Sequence, residues 1–122
     1  MIEYSDSDYF GFEIKYGYIK NPNGLIKFVH PTDDNTHVLK YIARGPSFEL
    51  ISEALTESTY INHITGLPFI LTSLFYKMIF EKAIVEINFD NNDIESFKVS
   101  SSKNINYGLV KMVSKNWTKG VL

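Results

Sequence analysis

The chain has no cysteine at all and only one arginine among its twelve basic residues. The first absence removes disulfide bonds, thiol nucleophiles and cysteine-ligated zinc together. A chain of 122 residues held together by packing alone fits a reducing compartment, so the expected location is the cytoplasm. The stretch Met1, Ile2, Glu3, Tyr4, Ser5, Asp6 is acidic and polar, unlike the basic start and apolar run of a secretory signal, so no such signal is expected. The longest apolar region, residues 67–80, is interrupted by Lys77. It is too short to cross a hydrocarbon layer of ~30 Å at ~1.5 Å per residue, so no membrane span is expected. There is no Gly-rich phosphate loop, no H-E-x-x-H and no G-x-S-x-G. Each absence argues against a familiar class, nucleotide hydrolase, zinc protease or serine hydrolase, without excluding an unfamiliar enzyme, and no cofactor or metal is expected.

What the chain does have is apolar content, 44% hydrophobic and 15% aromatic, enough for one core in one domain spanning 1–122. Charge is unevenly spread. Residues 1–97 hold all fourteen acids and seven bases, whereas residues 98–122 hold five lysines and no acid. The body is thus acidic and the C-terminal quarter basic.

Residues 9–19 alternate with period two: Phe10, Phe12, Ile14, Tyr16 and Tyr18 on one side, Tyr9, Gly11, Glu13, Lys15 and Gly17 on the other. That predicts a half-buried strand. Lys20 to Gly24 are turn formers, and residues 25–30 form the return strand of a hairpin. After a second turn at 31–36, residues 37–44 fit either a helix, with Val38, Leu39 and Ile42 on one face, or a third strand, and short length and β-branched content favour the strand. Ser47 is an N-cap for a helix from Phe48 to Thr56 or Ser58, with Phe48, Ile51, Ala54 and Leu55 facing inward. Residues 60–66 are expected to be a connection. Pro68 then opens a second, unusually apolar helix that runs to about Lys82. Strands at 83–89 and 94–100 flank the turn at 90–93, and Leu109, Val113 and Trp117, recurring every four residues, suggest a short final helix, with a strand as the alternative. The order βββ–αα–ββ–α implies an α+β fold with a mainly antiparallel sheet and helices on one face.

Three groups of residues carry the functional expectations. Glu49, Glu53 and Glu57 recur every four residues, forming an acidic stripe with no base on the same helix. Like charges at this spacing destabilise a helix by about 0.2–0.5 kcal/mol per pair. A basic protein partner is therefore the expected occupant, with Asp33 and Asp34 extending the patch and Tyr60 as an aromatic anchor. The matching function is a protein-binding module, an inhibitor or immunity-type protein that neutralises a basic toxin or nuclease. The alternative is a phosphodiester-cleaving enzyme with His30 and His37 facing each other across a hairpin mouth as acid and base. The second alternative is a homo-oligomer built through the apolar helix 67–82. Lys103, Tyr107, Lys111, Lys115, Trp117 and Lys119 interleave bases with aromatics. With Lys98 that makes five lysines without arginine, a weak nucleic-acid surface, so Trp117 is assigned to the core and nucleic acid is not an expected partner.

Overall fold

A computed structural model describes residues 8–45, 47–101 and 105–120. The alternating segment is β1, Tyr9–Lys20, and it pairs on one side with β2, Ile26–Val29, and on the other with β3, His37–Arg44. After β3 come α1, Phe48–Ser58, and a separate two-stranded hairpin of β4, Thr59–Ile61, and β5, Pro68–Ile70. Then follow α2, Thr72–Ala83, β6, Ile84–Phe89, β7, Phe97–Lys98, a 3₁₀ turn at Val99–Ser101, and α3, Tyr107–Lys119. The main sheet is antiparallel, with strand order β2-β1-β3-β6-β7. The fold is α+β, as the segregated strand and helix runs imply.

The period of β1 sets the two faces. Phe12 lies opposite Tyr41 and Ile14 opposite Leu39, while Glu13 lies opposite Lys40. Phe12 and Tyr41 stack at 5.0 Å between ring centroids. The inner face, with Tyr16, Leu39, Tyr41, Ala43 and Ile87, joins Ile79 and Phe80 of α2 and Val113 and Trp117 of α3 in the core. The outer face carries the exposed Lys40–Glu13 pair at 3.8 Å and faces solvent. Between β3 and β6 the register slips after Ile42, so that Ala43 opposes Ile84 and Val85 is left over and exposed. Gly17 is required by a close approach: a Cβ there would stand 2.9 Å from the carbonyl oxygen of Asn35.

Polar contacts fix the helix layer on the sheet. The Trp117 indole N–H donates to the Arg44 carbonyl at 2.7 Å, and the Tyr41 hydroxyl donates to Asn116 Oδ1 at 2.6 Å. Ser114, fully buried, donates to the Tyr76 carbonyl at 3.0 Å and so joins α3 to α2. At the far end of the sheet the Tyr16 hydroxyl donates to Asp90 Oδ1 at 3.4 Å, and the Val38 N–H donates to Asp90 Oδ2 at 2.9 Å.

Burial raises the pKa of both core tyrosines above the ordinary tyrosine value, and for Tyr16 the charge of Asp90 adds to the effect. The unfolded chain then loses these protons first as pH rises. Their contribution is complete below pH ~10 and shrinks above it, by up to about 1.4 kcal/mol per pH unit for each tyrosine. Denaturant melts between roughly pH 8 and 11 are expected to show stability falling steeply above ~10, with a shallower fall in Tyr41→Phe. An unchanged slope in that variant would contradict the assignment.

Four expectations need correction. Residues 60–66 are not a plain connection, because they contain the end of β4 and the hairpin turn. Pro68 lies in β5, and α2 starts four residues later at Thr72. Of residues 94–100 only Phe97 and Lys98 are strand, and the 3₁₀ turn takes over at Val99. In α1 the buried line is Leu50, Ile51, Ala54 and Ser58, while Phe48 and Leu55 are exposed. Ser58 can take that inner place because its hydroxyl donates to the Ala54 carbonyl at 2.6 Å, so no polar group is stranded.

Candidate protein-docking surface

Thr-Tyr-Ile is a β-forming triplet, Phe69 and Ile70 are β formers with Pro68 at the first, edge position of its strand, and between the strands Asn62 and Gly66 supply turn chemistry. Asn62 organises the turn. Its Oδ1 accepts from the N–H groups of Ile64 at 2.8 Å and Thr65 at 3.1 Å, and its N–H donates to the Leu67 carbonyl at 2.9 Å. Gly66 closes the turn at φ +72°, a conformation that favours glycine. Thr59 pairs with Ile70, Tyr60 with Phe69 and Ile61 with Pro68. At the base, the Leu71 N–H donates to the Ser58 carbonyl at 2.9 Å, tying the hairpin to the end of α1.

This hairpin is an arm rather than a core element, since every residue from 59 to 73 is exposed. Ile61 is 62% exposed, Ile64 94% and Leu67 64%, and Tyr60, Phe69, Ile70 and Leu71 are also exposed. Both faces of the ribbon are apolar, because Tyr60 and Phe69 share one and Ile61 and Ile70 the other. No Asp, Glu, Lys or Arg occurs from 58 to 76. Large apolar patches on a soluble surface mark interaction sites. A lone two-stranded hairpin is at best marginally stable in water, so covering it with a partner would add order as well as burial.

The acidic stripe leads directly into the arm. Ser47 caps α1, its Oγ accepting from the Leu50 N–H at 3.3 Å, and Glu49 sits in the first turn, where the helix field favours an acid. Glu53 and Glu57 are not left unrelieved as the helix alone suggests. Lys82, from the last turn of α2, places Nζ 3.6 Å from Glu53 Oε2 and 3.7 Å from Glu57 Oε1. Exposed pairs of this kind contribute about 0.2–1 kcal/mol. Arg44 also borders Glu49 and Glu53, lining the same hollow, so three carboxylates face two bases and the surface keeps an excess of one acid.

The other predicted residues fall elsewhere. Asp33 and Asp34 are exposed in the turn before β3, at its His37 end, whereas α1 starts beyond the Arg44 end. Eight strand residues, about 26 Å at ~3.3 Å each, separate that turn from the start of the acidic stripe. His30 and His37 do not face each other across a hairpin, because β1 lies between β2 and β3. His30 is exposed beyond the end of β2. The His37 ring is half-buried against Tyr16 and Tyr18, at 5.6 and 5.0 Å between centroids. Of the basic and aromatic C-terminal residues, Trp117 is core, and Lys103 lies outside the described residues. Among the described residues no three His, Asp or Glu side chains stand together as a metal site, and no helix is long and apolar enough to cross a membrane.

Sequence reasoning picked out Tyr60 and the three glutamates but missed Ile61, Ile64, Leu67 and Phe69. The available signal was the Asn62–Gly66 turn between the β formers Thr59, Tyr60 and Ile61 on one side and Phe69 and Ile70 on the other. No protein-family model matches the chain, nor does any curated protein or solved structure.

Proposed function

We propose that this chain is a small protein-binding module that inhibits a basic protein, in the manner of an immunity protein neutralising a toxin or nuclease in the cytoplasm. The observation that carries the reading is the uncharged, wholly exposed apolar arm continuous with the acidic face of α1. Docked interfaces combine an apolar centre with a charged, wetter rim. Here Tyr60, Phe69 and Ile64 would form the centre, and Glu49, Glu53 and Glu57 the rim. The acids would steer a basic partner inward, and the arm would hold it. Asp33 and Asp34 take no part at the Glu49 end of this surface. Charge reversal in Glu49→Lys/Glu53→Lys is expected to slow association and make it less salt-dependent, by about tenfold in on-rate at low salt. Surface plasmon resonance against the captured partner checks this, and an unchanged on-rate would remove the glutamates from the site.

A second reading is favoured by one specific feature. The arm lacks charge and leaves the outer edges of β4 and β5 unpaired among the described residues, so two copies could meet edge to edge without repulsion. This moves the self-association surface from the helix expected at 67–82, where Ile79 and Phe80 are core, to the arm before it. A particle mass near twice 14.0 kDa would favour this reading, and a particle that stays at 14.0 kDa at micromolar concentration would exclude it.

A further inference from the structure

The geometry points to a second binding site, independent of the arm: a basic hollow beside the start of α3 that we propose binds a small phosphomonoester with a flat apolar portion, of mononucleotide size. The hollow exists because β2 stops early. Its last pair with β1 is Val29 opposite Gly17, so Lys15, two residues further along β1, is beyond the reach of β2. The gap is about 330 Å³, within the range of small-ligand sites.

Lys15, His30 and Lys111 line it, from β1, from the loop after β2 and from α3 respectively. Among the described residues no carboxylate lines the hollow, and neither lysine forms an ion pair. A phosphomonoester carries about −1.5 to −2 at neutral pH. Two lysines match that charge and His30 adds a hydrogen-bonding group, whereas a carboxylate would leave one lysine uncompensated. The first N–H groups of α3 are already used: Asn106 Oδ1 accepts from Gly108 at 2.7 Å, and the Asn106 carbonyl from Leu109 and Val110. The anion would therefore be held by side chains.

Phe28 and Met112 supply the apolar part of the lining. Phe28 is braced by Tyr16 and Phe89, at 5.7 and 6.1 Å between centroids. Gly108 borders this ring: a Cβ at that position would stand 4.0 Å from Phe28 Cδ2, an ordinary van der Waals contact. A planar base resting on Phe28 with its phosphate between Lys15 and Lys111 uses every one of these groups.

The test is an amide NMR titration of the whole chain with adenosine monophosphate, with adenosine and inorganic phosphate as separate arms. Saturable shifts at His30, Gly108 and Lys111 with the monophosphate are expected, with adenosine at least about tenfold weaker. Inorganic phosphate is expected to shift the same amides more weakly. Lys15→Glu and Lys111→Glu should each weaken the monophosphate by about tenfold. Both lysines are exposed, and thermal melts verify that the variants fold. No saturable shift up to ~10 mM, shifts undiminished in the folded variants, or adenosine binding as tightly as its monophosphate would each overturn the proposal. None of these outcomes bears on the arm.

Discussion

Trp117→Ala is expected to destabilise the fold by about 3–5 kcal/mol. The side chain has no exposed surface and sits where α3 meets the end of β3. Truncation would lose the apolar transfer energy, leave a cavity that close-packed neighbours fill only in part, and strip the Arg44 carbonyl of its indole donor at 2.7 Å. Domains of this size carry about 5–15 kcal/mol in total, so the variant should sit near the folding threshold. Urea denaturation followed by far-ultraviolet circular dichroism measures it. A loss below about 1 kcal/mol would mean that α3 does not close the core as described.

The second large effect is on binding and leaves stability alone. Ile61→Glu/Ile64→Glu places two charges on the arm, at positions 62% and 94% exposed. Substitution at such exposed positions usually changes stability by no more than about 0.5 kcal/mol. Partner affinity should instead fall by a hundredfold or more, about 2.7 kcal/mol, because the apolar centre of an interface holds most of its energy. Binding unchanged by the double variant would place the docking surface off the arm. Large destabilisation would mean that the arm packs on its own domain.

The sheet was legible where one periodicity ran long enough. Eleven alternating residues in β1 leave little choice of face, and Ser47 marks the start of α1 by a local hydrogen bond that sequence shows directly. Trp117, four residues beyond Val113, was similarly plain. The arm was not. Three residues per strand are too few to display a period, and Pro68 suits the first turn of a helix as well as a β edge. The apolar run from 67 to 80 therefore read as one helix, when its first part is exposed ribbon and its last part core.

The charged and titratable groups were misread for a different reason, which is long-range topology. Sequential strands neighbour each other about two-thirds of the time. Here β2 and β3 both pair with β1, and that separates His30 from His37. The relief of Glu53 and Glu57 comes from Lys82, a contact set by helix packing. The basic hollow joins positions 15, 30 and 111, which no local pattern connects.

The most direct test of the docking surface is parallel affinity capture from native lysate with the wild-type chain and with Ile61→Glu/Ile64→Glu, each washed at low and then high salt. The account predicts one basic protein on the wild-type bait, weakened by salt and absent from the variant, that binds again when purified. The same proteins on both baits, or a partner indifferent to salt and to the arm, would contradict it.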